Sequence, residues 1–484
     1  MKLKKIIEGL EIAAKTGNSN PEVGGITFDS RQVNRGDLFV AVRGTQSDGH
    51  MFIDQAIQSG AVAIICEEDA PEGDSEVARI YVPDSQKALA HMAAVFYGHP
   101  SRELQLVGVT GTNGKTTIVT LLHQLHEILG FKAGLISTIQ VLVGGGAARP
   151  ATHTTPDPLQ INASLREMAD NGCEYCFMEV SSHAIDQDRI DGLDFNGAVF
   201  TNLTRDHLDY HKDFREYLEV KKRFFDYLPV DAFALVNGDD KNGKVMQQNC
   251  DAEKYSYSLR SLCEFRGKIG EMHLEGSAMT INDIEVWVKL PGRFNAGNLL
   301  CVYAVSVLLG QHPEDVIKAL SQLSFVPGRF ETFGSKRGTT GIVDYAHTPD
   351  ALQNVLDTIL EVNVGGGEVI TVLGAGGNRD KGKRPEMARI AAGASHKVIL
   401  TSDNPRNEDP ESILDDMMEG IPSDLRDVTM RIVSREEAIR TACIIAGEKD
   451  IILLAGKGHE TTQEIQGQKR PFDDMAILKR HLKG

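Results

Sequence analysis

The chain has 484 residues, 41% of them hydrophobic and 25% charged, with 51 basic against 68 acidic side chains. That length is too great for one core and predicts about three domains. The net charge of −17 excludes a non-specific nucleic-acid binder, but not a protein that holds small anions through local basic groups, backbone amides and Mg²⁺. No run approaches the roughly 20 apolar residues of a membrane span, and MKLKKIIEGLEIAAK at residues 1–15 reads as an amphipathic helix, not a signal peptide. A soluble cytoplasmic protein is expected, without nucleic-acid partner or membrane insertion.

Residues 1–100 alternate strand and helix signals. Segment 26–44 reads as two short strands joined by a turn, 54–59 as a helix, and 61–68 and 78–83 as strands. Ser85–Tyr97 reads as a helix with a serine N-cap. The turn-rich stretch GHPSREL (98–104) marks a boundary. Strands then follow at 133–138, 175–180, 197–203 and 231–238, with helices at 116–130, 158–171 and 214–227. Near-continuous apolar strands alternating with helices predict a doubly wound, mostly parallel sheet covered on both faces. Residues 250–290 look antiparallel and 295–310 helical, with a second boundary near VPGRFE (326–331). The last part alternates again, with strands at 341–346, 368–376, 397–402, 428–433 and 451–456, which predicts a Rossmann-like domain. The fold class is therefore α/β in three domains, 1–100, 101–327 and 328–484. Glycine clusters at 144–146 and 365–367 read as loops. The seven cysteines are scattered, and the lone pair Cys173 and Cys176 reads as buried core thiols.

The most informative stretch is Leu104–Thr117, LQLVGVTGTNGKTT, an apolar strand running into a glycine-rich turn and a helix start. Gly111, Gly114, Lys115 and Thr116 stand where a phosphate-binding loop needs them. Glycines let backbone amides close on phosphate oxygens, lysine adds a point charge, and threonine can join a Mg²⁺ shell. Val109 occupies the first glycine position of the strict pattern, with Gly108 one residue early. Glu179, closing an apolar strand, is a candidate Mg²⁺ ligand on the γ-phosphate. His207 is harder to place, because Mg²⁺ prefers oxygen, and Lys221 in EYLEVKKRFF reads at first as part of a solvated basic face. Polar motifs follow the strands one after another: GTNGKT, EVSSH, NLTRDHLDYH, DYAHTPD, GAGGNRDKGKRP, SDNPR and GKGHE. In such sheets ligands bind beyond the carboxyl ends of the strands.

Together with THTTPDP, GRFNAGN and PGRFE, these motifs stand in an order that resembles the Mur ligase family over nearly the whole chain. The resemblance implies an ATP-dependent ligase with Mg²⁺ as cofactor. A first domain would bind the UDP end of a UDP-N-acetylmuramoyl dipeptide, a second ATP, and a third the incoming amino acid. It implies ATP contacts at Gly111, Thr112, Asn113, Gly114, Lys115, Thr116, Thr117, Asn298, Arg329 and Asp344, and metal ligands at Thr116, Glu179, His207 and Lys221. Lys221 matches the family's carbamoylated lysine. Its amine must be transiently neutral, which the cations Lys222 and Arg223 would favour. The positions matching the dipeptide site are Phe28, Ser30, Thr45, Gln46, Ser47, His153, Thr154, Thr155, Ser181, Gln187 and Arg189, with His153 standing where some members carry asparagine. SDNPR goes with meso-diaminopimelate in the family. Arg406 can grip that substrate's distal carboxylate with a bidentate fork, and Arg379, Asp403, Asn404, Pro405, Gly456 and Glu460 complete the matching pocket. The resemblance also implies a monomer. Two other readings stay open: a lysine-adding or folylpolyglutamate-type ligase of the same superfamily, and a nucleotide switch without ligase chemistry. SDNPR with Ser181 and Arg189 speaks against the first, and the third domain's own polar rim against the second.

Overall fold

The computed structural model describes residues 1–17, 20–44, 47–67, 77–146, 148–207 and 209–482. Three sheets organise them. The first has the spatial order Ala14–Thr16, Ala78–Tyr81, Ala63–Cys66, Leu38–Val40, Ile26–Thr27, parallel except for its first pair. The helix Ser85–Phe96 and the first turn's Leu3 and Ile6 cover one face, and Ala56 and Ala61 pack on the other.

The central sheet has eleven strands. Its parallel heart runs Phe233–Asn237, Gly197–Phe200, Gln105–Thr110, Tyr175–Glu179, Ala133–Ile136. Alternate residues of one strand serve opposite cores: Val107 and Val109 face the helices Lys115–Ile128 and Arg293–Leu308, whereas Leu106 packs with Met178, Ile161 and Phe224. Burial on both faces is why these strands read as unbroken apolar runs. The third sheet runs Glu331–Gly334, Thr340–Asp344, Ile451–Ala455, Val369–Ala375, Lys397–Ser402, Thr429–Arg431, and only its first pair is antiparallel. It too has a core on each face. No helix among the described residues is long and apolar enough to cross a membrane.

Three local expectations are corrected, and one element was not anticipated. The N-terminal helix is one turn, Leu3–Ile6; Gly9 at φ +86° breaks it, and Ala14–Thr16 instead takes the free edge of the first sheet. The helix at 85 is capped by Asp84, whose carboxylate accepts from the amides of Gln86 and Lys87, so Ser85 is the first helical residue. Glu253–Ser258 pairs parallel to Phe233–Asn237, because a crossover carrying the turn Gly243–Met246 precedes it; antiparallel pairing begins only with Phe265–His273. Finally, the polar hairpin Thr462–Ile465 and Gln468–Pro471, which has no apolar alternation to announce it, stands over the carboxyl end of the third sheet. Cys173 and Cys176 are buried free thiols, as expected.

Candidate active site

Strand order reverses at Gln105–Thr110, with the chain passing to one side through Ala133–Ile136 and Tyr175–Glu179 and to the other through Gly197–Phe200. The phosphate loop sits on that switch point, where two neighbouring crossovers diverge and leave a crevice. Gly111 has φ +147°, and a Cβ there would lie 1.9 Å from Thr201 Oγ1. Gly114 has φ +90° with Asn298 Oδ1 2.8 Å from a Cβ position, so neither tolerates a side chain. Gly108, by contrast, lies inside the strand, where a Cβ would meet the Phe224 ring at 2.5 Å. The offset from the strict motif is thus a packing glycine rather than a loop glycine. Lys115 folds back over the loop, donating to the carbonyls of Gly111 (2.9 Å) and Thr112 (2.7 Å). Burial lowers its pKa, while Glu179 and Asp206 hold it up.

Parallel register brings Glu179 level with Val109. The carboxylate is buried; Oε1 accepts from the Thr138 amide at 2.7 Å, and Oε2 has no partner. An ionised oxygen left unpaired in the interior is costly, so this one calls for a cation. Lys221 is 1% exposed, which overturns the solvated-face reading. Its amine donates to Gly111 O (3.1 Å) and Thr110 Oγ1 (3.3 Å) and lies over the Tyr217 ring. Burial, then the Lys115 charge, pushes its pKa well down against Asp206. Lys222 and Arg223 are not the cause expected of them: they pair with Asp226 and Asp188. His207, at φ +56°, packs edge-on to His183 and lies 3.4 Å from Asp206. Desolvation pushes its pKa down, against the opposing pull of Asp206. The residues therefore fit Mg²⁺: an orphaned carboxylate oxygen, an imidazole and a buried amine line one crevice.

One cavity of about 1090 Å³ runs from this loop to the ends of the third sheet. It is lined by Gly111–Thr117, Glu179, His207, Lys221, Asn298, Arg329 and Asp344 on one side, and by Arg379, Asp403, Asn404, Arg406, Gly456 and Glu460 on the other. Arg329 donates to Thr116 Oγ1 at 3.1 Å and stacks over Tyr345. Asp344 accepts from the amides of Phe330 and Ala346, and burial raises its pKa to about 6. His153, Thr154, Thr155, Ser181 and Arg189 form a third wall. Thr155 accepts from the Ser181 amide, and its carbonyl accepts from Arg189 at 2.8 Å. Gln187 stays off the wall but holds the Arg189 guanidinium. Pro405 does not line the cavity either; its carbonyl packs where a Gly377 Cβ would be. Phe28, Ser30 and Ser47 lie outside the cavity on the first sheet's unit; Ser30 is buried and donates to Gln55. Thr45 and Gln46 lie outside the described residues.

Three family models match the chain: the Mur ligase family catalytic domain at 22–97, the Mur ligase middle domain at 109–306, and the Mur ligase glutamate ligase domain at 328–458. This chain belongs to the Mur ligase family. Among Mur ligases, it is 54% identical over 479 residues to the UDP-N-acetylmuramoyl-L-alanyl-D-glutamate–2,6-diaminopimelate ligase of Bacteroides fragilis, covering 99% of each chain. It is 51% identical to the ligase of that name from Cytophaga hutchinsonii, covering 100% of this chain and 99% of that one. A solved structure of such a ligase superposes with a TM-score of 0.68 at 31% identity, over 100% of this chain and 98% of the other.

Several polar side chains of this Mur ligase site escaped the sequence reading. Asp206 lies 3.9 Å from His347 and joins the two sides of the cavity. Asn113 Nδ2 donates to Asp350 Oδ2 at 2.9 Å, tying the phosphate loop to the start of the helix Pro349–Val362. Arg379 faces Asp209 at 3.6 Å, and Arg205 pairs with Asp380 at 3.2 Å. Each stands inside or beside a quoted motif, which was the available signal. Their pairings are long-range and were invisible.

Proposed function

We propose that the chain is an ATP-dependent amide ligase that joins meso-2,6-diaminopimelate to the D-glutamyl side-chain carboxylate of UDP-N-acetylmuramoyl-L-alanyl-D-glutamate, a step of peptidoglycan precursor synthesis. The observation that carries this reading is the single cavity that opens onto the phosphate loop at one end and onto Asn404, Arg406 and Glu460 at the other. Relatives bearing that ligase name and aligned end to end support it.

A carboxylate is a poor electrophile because its leaving group would be oxide. Its oxygen therefore attacks the γ-phosphorus, ADP departs, and the acyl phosphate now carries a good leaving group. The acceptor amine adds to the acyl carbon, and collapse of the tetrahedral species expels phosphate. Most of this chain's contribution is positioning and charge. Gly111, Thr112, Asn113, Gly114 and Thr117 offer backbone groups to the nucleotide phosphates, and Lys115 swings from its loop carbonyls onto the β/γ-phosphates. Asn298, Arg329 and Asp344 hold the rest of the nucleotide. Thr116, Glu179, His207 and Lys221, the last as its carbamate, would hold Mg²⁺. That ion would neutralise charge on the phosphates.

Thr154, Thr155, Ser181, Gln187 and Arg189, with His153, hold the dipeptide end. Phe28, Ser30, Thr45, Gln46 and Ser47 hold the distant uridine end. Arg406 takes the distal carboxylate of diaminopimelate, with Arg379, Asp403, Asn404, Pro405, Gly456 and Glu460 around the remainder. The proposal keeps the division 1–100, 101–327 and 328–484, a monomer, and work in the cytoplasm. The test is ATP-dependent phosphate release with the UDP-dipeptide, comparing meso-diaminopimelate with L-lysine. Release with the former and little with the latter is expected; equal or faster release with lysine overturns the acceptor assignment.

A further inference from the structure

Lys457 is 0% exposed and does not line the cavity. It follows the strand Ile451–Ala455 in GKGHE, after Gly456 at φ +112°. Its ammonium spends three bonds in three directions: Glu460 Oε2 at 2.9 Å, Asn404 Oδ1 at 3.3 Å and the Thr462 carbonyl at 2.7 Å. The Asp403 carboxylate stands 3.7 Å away. Each partner belongs to the acceptor rim or to the hairpin beside it.

The consequences are geometric. Asn404 Oδ1 is held by Lys457 and by the Glu464 amide (3.0 Å), which fixes the amide's sense and aims Nδ2 at Glu460 Oε2, 2.7 Å away. Glu460 Oε2 thus takes two donors, while Oε1 takes none from a described residue and belongs to a side chain that lines the cavity. The Thr462 bond pins the foot of the hairpin whose Glu464 carbonyl and Gln466 amide clasp the Arg406 backbone. Charge tells the same story. Among the described residues, Lys457 pairs with both Asp403 and Glu460, whereas Arg435 is spent on Asp474 in a pair with both side chains 0% exposed. The Arg435–Asp474 pair is sealed from the cavity and serves the core, whereas the Lys457 bonds lead to the rim.

We infer that Lys457 is a positioning residue for the acceptor amino acid: it never touches substrate, but sets Glu460 and Asn404 to receive the acceptor's ammonium group. This rests on the acceptor reading above. The experiment is steady-state phosphate release by the full chain and by Lys457→Met, with each of the three substrates varied, alongside thermal unfolding. A wild-type chain inactive with every amino acid would sink the ligase reading itself, separately from this inference. The inference expects the KM for diaminopimelate to rise at least about tenfold, as for a lost hydrogen bond to a charged group, with the KM values for ATP and the UDP-dipeptide and the kcat within about twofold. Lys457→Gln, which keeps two donors, should recover part of that rise. A uniform rise in all three KM values, an unchanged acceptor KM, or failure of both variants to fold would each overturn the inference and assign Lys457 to the fold.

Discussion

The glycine-rich end of the cavity is built from consecutive residues, Gly111–Thr117, on one turn between one strand and one helix. The groups at the opposite rim are side chains drawn from separate strand ends, at Arg379, Asn404, Arg406 and Glu460, and they depend on one another. The first kind of site is fixed by local chain geometry, so loss of the charge it presents should be large and fall on chemistry. The second is fixed by long-range hydrogen bonds, so losses should be smaller and should fall on selectivity.

That contrast can be broken from its strong end downward. Lys115→Ala should cut kcat for phosphate release on the order of 10³-fold, as loss of a charge aimed at the transferring phosphoryl group does. A loss seen only in the acceptor KM would contradict the division. Lys221→Ala should cost about 10²-fold, and formate or acetate should restore part of it by standing in for the carbamate. Full activity without additive would remove the carbamate. Arg406→Ala should lower the preference for diaminopimelate over lysine by about 10- to 100-fold, the worth of hydrogen bonds to a charged group, while ATP turnover with saturating acceptor changes little. An unaltered preference would take Arg406 out of that role. The mildest change should come from Asn113→Ala, which keeps the loop backbone and removes only the bond to Asp350: a few-fold rise in the KM for ATP, about 0.5–1.5 kcal/mol. A loss as large as that of Lys115→Ala would place Asn113 in the chemistry.

The same contrast governs what was legible beforehand. The parallel strands were readable because both of their faces are buried, so burial left an apolar signal at Leu106, Val107 and Val109 alike. The strand, turn and helix start of Leu104–Thr117 were readable because their signals lie in neighbouring residues. The hairpin Thr462–Pro471 was not, since its strands are polar on both sides, and neither was Lys457, whose partners at 404 and 462 come together only once the strands are side by side. Lys221 shows the limit of local charge reasoning: the cations adjacent in sequence are neutralised by carboxylates, and Lys115, a hundred residues earlier in the chain, is the one that acts on it.

The bond from Asn113 to Asp350 has a thermodynamic corollary. Asn113 belongs to the glycine-rich loop, and Asp350 stands in the first turn of the helix that covers the third sheet. A ligand that favours the bonded arrangement of loop and helix would ease the binding of a second ligand that favours it too. Linkage then demands reciprocity: whatever factor ATP imposes on acceptor affinity, the acceptor imposes on ATP. A single hydrogen bond between two walls of one cavity is thus enough to couple two binding events.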